Sequence, residues 1–76
     1  MKNKIKDMRK DCGMTQQQLA DLVKVSSRTI ISLETGKYNP SLLLAYRIAQ
    51  VFHTTIEELY CLEENIRLED QAYERL

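Results

Sequence analysis

Apolar residues recur at helical spacing along most of the chain. Ile5, Met8 and Cys12 lie three and four residues apart, one stripe of a helix whose other faces carry Lys and Arg. Gly13 follows as a C-terminal cap would. Thr15 with Gln18 three residues later is a capping box, in which each side chain satisfies a free backbone N–H. It predicts a second helix from Gln16 to about Val23, with Leu19, Ala20 and Val23 inward. Ser26 opens a third helix as N-cap, leaving room only for a tight turn before it. That helix runs from Ser27 to about Thr35, and Gly36 stops it. Ile30 and Leu33 face inward. Arg28, Ser32 and Thr35 lie opposite, with Ser27 and Ile31 at the margins.

Asn39-Pro40-Ser41 marks a loop and a further N-cap. The fourth helix is expected from Leu42 to about His53, with Leu42, Ala45, Ile48, Ala49 and Phe52 as its core stripe, Leu44 at the edge, and Leu43 and Arg47 pointing away. Thr55 caps a short fifth helix with Glu57 and Glu58 in its first turn, where the helix dipole favours them, and Ile56 and Leu59 inward. Residues 61–76 have no clear period: Ile66 and Leu68 alternate as a strand would, whereas Leu62, Ile66 and Tyr73 would line a helix. The expected fold is all-α: a compact five-helix domain over residues 1–60 containing a helix-turn-helix, and a short C-terminal extension, 61–76, as a candidate dimerisation segment.

Composition narrows the function. With 76 residues, the chain buries only about 60% of its unfolded surface and leaves little room for a deep substrate pocket. Its zero net charge hides an asymmetry. Residues 1–38 carry eight Lys and Arg against four Asp and Glu, and residues 39–76 carry three against seven. A basic half suits nucleic acid and an acidic half suits solvent or a partner. Cys12 and Cys61 come with no CxxC pair or His cluster, so no zinc, other metal or cofactor is expected. Cys12 reads as a core thiol. The charged N-terminus lacks the apolar stretch of a signal peptide, and the longest apolar run, Leu42 to Tyr46, is too short to cross a bilayer. The expected location is the cytoplasm, with both thiols reduced. No nucleophile–base pair, metal cluster or phosphate-cradling glycine loop points to an enzyme.

Two short helices joined by a tight turn, the second with a polar outer face, form a helix-turn-helix. The major groove admits one α-helix, which must be fixed to a core on one face and free on the other. Ile30 and Leu33 supply the fixed face, and Ser27, Arg28 and Ser32 the donors and acceptors of the free one.

Residues 5–59 resemble the phage repressor and Cro family, also called the xenobiotic-response-element family. The matching pieces are Thr15-Gln16, Leu19-Ala20, Val25-Ser26, Thr29-Ile30, Leu33-Glu34, Gly36-Lys37, Asn39-Pro40-Ser41-Leu42, Ile48-Ala49 and Ile56-Glu57-Glu58-Leu59. Each is weak alone, but the ordered set is specific. The resemblance implies a DNA-binding transcriptional regulator, most often a repressor, acting as a homodimer on double-stranded DNA with an inverted-repeat operator. It places Ser27, Arg28 and Ser32 at base-contacting positions. Gln16, Ser26, Lys37 and Asn39 fall at phosphate-contacting positions, and Arg9 with Glu34 where members carry a buried ion pair. Lys24 and His53 stand where the family often has Gly, which implies left-handed backbone at non-glycine residues. An antitoxin-type protein-interaction module, which can also repress its own operon, is the alternative that the acidic tail suits.

Overall fold

The computed structural model describes residues 2–74, and side chains as far as Gln71. Six helices follow in order: α1 (Ile5–Asp11), α2 (Gln16–Val23), α3 (Ser27–Glu34), α4 (Leu42–Val51), α5 (Ile56–Leu59) and α6 (Leu62–Glu74). No strand occurs among the described residues. The five expected helices are present and the fold is all-helical. The extension adds a sixth helix, so the strand reading of Ile66 and Leu68 does not hold. Leu76 and the side chain of Tyr73 lie outside the described residues.

The helix starts have a common chemistry. The hydroxyls of Thr15, Ser26, Ser41 and Thr55 each accept from the backbone N–H three residues on. At Thr15 the box is reciprocal, because Gln18 Oε1 accepts the Thr15 N–H at 2.8 Å. The helix ends also repeat one device. After α1, α2, α3 and α4, a backbone N–H reaches back five residues, from Met14 to Arg9, Val25 to Ala20, Lys37 to Ser32 and Thr54 to Ala49. This closure passes through one left-handed residue, normally glycine. Gly13 (φ 66°) and Gly36 (φ 75°) serve α1 and α3, but Lys24 (φ 62°) and His53 (φ 53°) serve α2 and α4. Cys61 (φ 50°) makes a further left-handed turn between α5 and α6.

The core is drawn from α1 to α5. Ile5, Leu19, Ile30, Leu33, Ile48 and Leu59 are fully buried, with Ala20, Val23, Ala45, Ala49 and Tyr60 around them. Two expected core residues are placed differently, both at helix ends. Cys12 is exposed, because α1 stops at Asp11 and Cys12 is its C-cap. Leu42, the first residue of α4, is 78% exposed. Helical side chains lean toward the N-terminus, so this one overhangs the end of the bundle. Phe52, the C-cap of α4, packs half-buried against the core, as Met8 and Ile56 do. Tyr60, which the apolar pattern did not single out, is buried instead, and burial pushes its hydroxyl up to about 12.

Candidate nucleic-acid interface

The packing of α2 against α3 fixes the surface. Val23 ends α2 in the core, Lys24 turns the backbone left-handed, and the Val25 N–H closes on Ala20. Ser26 then starts α3: its Oγ accepts the Thr29 N–H at 3.3 Å and lies 3.1 Å from the Thr29 hydroxyl. Ile30 and Leu33 anchor α3 from below. On the opposite side Arg28 and Thr35 are exposed, and Ser27 and Ser32 are half-buried. Ser26, Arg28, Thr29, Ser32 and Tyr38 line one shallow cleft along this helix. Tyr38, about half exposed, thus stands beside α3.

Other candidate residues are distributed around this cleft. Lys37 is exposed just past the end of α3, where its N–H closes on Ser32. Asn39 is exposed too, but it lines a separate groove with Leu42, Ile56, Tyr60 and Leu62 rather than the α3 cleft. Gln16, at the start of α2, turns its amide inward and donates to Glu34 Oε1 at 3.1 Å.

That carboxylate is the hub of a buried network. Arg9 Nε donates to Glu34 Oε2 at 2.6 Å and its NH2 group to Oε1 at 3.3 Å, with the two side chains only 10% and 4% exposed. The Arg9 NH1 group donates to the Met14 carbonyl at 2.8 Å. The bond to Glu34 raises the already high pKa of Arg9 further, although burial opposes it. The arrangement joins α1, the turn after it, the start of α2 and the end of α3.

The network also sets the charge of the surface. Between Leu22 and Tyr46 the charged residues are Lys24, Arg28, Glu34 and Lys37. The single carboxylate in that stretch is the one buried against Arg9, so the charges offered to solvent by the turn, α3 and the following loop are all positive. A helix with one face in a core and a cationic, hydroxyl-rich face outside has what major-groove recognition requires.

Sequence reasoning passed over Thr29, which shares the cleft, and Asn3, whose Nδ2 donates to the Leu33 carbonyl at 2.8 Å. The signal for Asn3 was an Asn just ahead of the periodic apolar run; Lys4 is the N-cap of α1 and makes no side-chain cap bond, and Asn3 Oδ1 accepts the Ile5 N–H at 3.1 Å instead.

Comparison with known proteins agrees with this geometry. The helix-turn-helix family model matches residues 5–59. A protein of Archaeoglobus fulgidus named an uncharacterized HTH-type transcriptional regulator is 50% identical over 64 residues, covering 84% of this chain and 91% of the relative. The HTH-type regulator YgzD of Bacillus subtilis is 42% identical over 64 residues, covering 84% and 97%. The competence pilus inhibition repressor of Acinetobacter baylyi is 34% identical over 62 residues, 82% of this chain and 56% of the repressor. The crystal structure of the clp gene regulator ClgR from Corynebacterium glutamicum shares the fold, with a TM-score of 0.69 over 93% of this chain and 74% of that one, at 22% identity. The chain belongs to the XRE/Cro-like helix-turn-helix family of DNA-binding transcriptional regulators, which are not enzymes. The family binds double-stranded DNA, and no described helix of this chain is long and apolar enough to cross a membrane.

Proposed function

We propose that this regulator is a cytoplasmic repressor that binds an inverted-repeat operator as a homodimer. The observation that carries the reading is the exposed face of α3, cationic because its one carboxylate is withdrawn into the core. In this reading Arg28 makes the main base contact, bidentate to a guanine edge, with Ser27 and Ser32 as shorter-range partners. Ser26, Lys37, Asn39 and Gln16 meet the phosphates on either side. Gln16 does so with the amide proton that Glu34 leaves over, since one primary amide carries two donors. Repression is supported by the name of the Acinetobacter relative.

Residues 1–60 are the DNA-binding domain in this proposal and 61–76 contribute to the dimer contact. Ile66 and Leu68 of α6 are more than half exposed, and Leu42 and Tyr46 of α4 add apolar surface. A two-fold pair would set two copies of α3 one helical turn of DNA apart, about 34–36 Å. Selection of bound duplexes from a random pool tests the reading. An inverted repeat with half-sites about 10 base pairs apart is expected. A site without two-fold symmetry, bound by a protein that sediments as a monomer, would remove the dimer; failure to enrich any sequence would remove specific recognition.

A further inference from the structure

Residues 2–4, ahead of α1, lie between two elements that do not otherwise meet as principal neighbours. On one side is the first turn of α6. Asn65 accepts the Lys2 N–H on Oδ1 at 3.3 Å, and its Nδ2 donates to the Lys2 carbonyl at 3.0 Å and to the Tyr60 carbonyl at 2.6 Å. Lys2 Nζ pairs with Glu64 at 2.8 Å, and the Lys4 N–H donates to the Leu59 carbonyl at 2.8 Å. On the other side is the end of α3, where Asn3 donates to the Leu33 carbonyl while holding the Ile5 N–H. That same carbonyl accepts the Gly36 N–H at 3.1 Å. Three consecutive residues thus grip α6, α3 and α5 in turn.

We infer that residues 2–4 form a strap through which the pose of α6 is felt at the C-terminal end of α3, with Asn65 and Asn3 as the positioning residues at its two ends. The physical grounds are these. A helix of 13 residues is marginal on its own, and α6 packs chiefly on the four-residue α5. Its seat therefore depends on the polar clip at Asn65, which also satisfies the backbone of residue 2 on both its donor and its acceptor. The recognition helix is likewise short, eight residues, and its last turn is held by side chains from outside it: Asn3 on Leu33, and Arg9 and Gln16 on Glu34. Of these holds, only the one through Asn3 leads to α6. A change of α6 pose, such as a partner would impose, then alters one of the anchors of the DNA-reading helix. The inference rests on α3 being that helix.

The test uses the full chain as wild type, Asn65→Ala, Asn3→Ala and the double variant, with residue-resolved amide exchange and affinity for a duplex selected by the wild type. Asn65→Ala should speed exchange of the Lys4 and Gly36 amides about tenfold, the size expected for one or two lost hydrogen bonds, and leave the amides of α2 unchanged. It should weaken DNA binding several-fold although residue 65 is not on α3. The double variant should bind no more weakly than the weaker single, because both cut one connection. Asn65→Asp, which keeps the shape but turns an oxygen toward the Lys2 and Tyr60 carbonyls, should repeat the exchange pattern. An unchanged Gly36 amide in both Asn65 variants overturns the strap, and so do two affinity losses that multiply. If the wild type selects no duplex, the reading of α3 fails on its own, and the exchange data still decide the strap.

Discussion

Replacing Glu34 with Ala should cost this domain a large part of its stability, even though the side chain sits on α3, the helix proposed to read DNA. The Glu34 side chain is 4% exposed and takes three hydrogen bonds, two from Arg9 and one from Gln16. The substitution leaves the Arg9 guanidinium, itself 10% exposed, with the Met14 carbonyl as its one remaining partner of those described above. Breaking a buried pair by removing one partner costs about 3–5 kcal/mol, since the surviving charge keeps its desolvation penalty and loses its attraction. A domain of this length holds on the order of 4–11 kcal/mol in total. The melting temperature should then fall by roughly 12–40 °C. Urea and thermal unfolding followed by circular dichroism measure it. The companion double variant Arg9→Met with Glu34→Leu should recover most of the loss, because it removes both charges together. A loss below about 1 kcal/mol for Glu34→Ala would refute the reasoning, for it would mean that Arg9 finds water as good a partner as the carboxylate.

Three further outcomes are expected. Arg28→Ala should cost about 1–3 kcal/mol at one base pair, whereas Lys37→Ala should weaken all sequences alike and reduce the slope of log K against log salt by about 0.9; fluorescence titrations on a set of point-substituted duplexes separate the two. Lys24→Gly should raise stability by about 0.5–1 kcal/mol, as relief of a left-handed lysine outweighs the entropy of the added glycine, and a denaturant midpoint shifted downward would contradict this. Tyr60→Phe should stabilise by about 1 kcal/mol, because the buried hydroxyl finds no hydrogen-bond partner among the described residues. Burial raises the Tyr60 pKa from 10.0 to about 12, so the unfolded chain ionises first: stability is untouched by this group below pH 10 and falls as pH rises from 10 toward 12, and the phenylalanine variant should lack that alkaline step.

The bundle was legible in the sequence because its rules are local. Helical periodicity placed Leu19, Ile30, Leu33 and Ile48, and the hydroxyl caps at 15, 26, 41 and 55 marked where each helix begins. The same rule misplaced Cys12 and Leu42, since a period says which face a residue is on and not where the helix begins or ends. The tail hid its helix because Leu62, Ile66 and Leu68 are too few among acidic residues to favour one period over another. On the site, the outward face of α3 follows from the periodicity that buries Ile30 and Leu33. The Gln16 amide on Glu34 and the Asn65 clip on Lys2 join residues 18 and 63 positions apart, and only the folded chain brings them together.

The repeated closure of the helix ends makes the connections of this domain into fixed gears. Each turn that reaches back five residues has one allowed length, and after α1, α2 and α4 the next helix starts two residues beyond it. One residue inserted at Lys24 would advance α3 by about 100° about its axis, enough to swing Arg28 away from the exposed side and to carry Ile30 out of the core. Rotation of the reading face and collapse of the core are thus the same event, so the register of recognition is protected by the requirement to fold. Between Lys37 and Ser41 the backbone leaves that gearing, and there length variation would leave α3 in phase with the rest of the bundle.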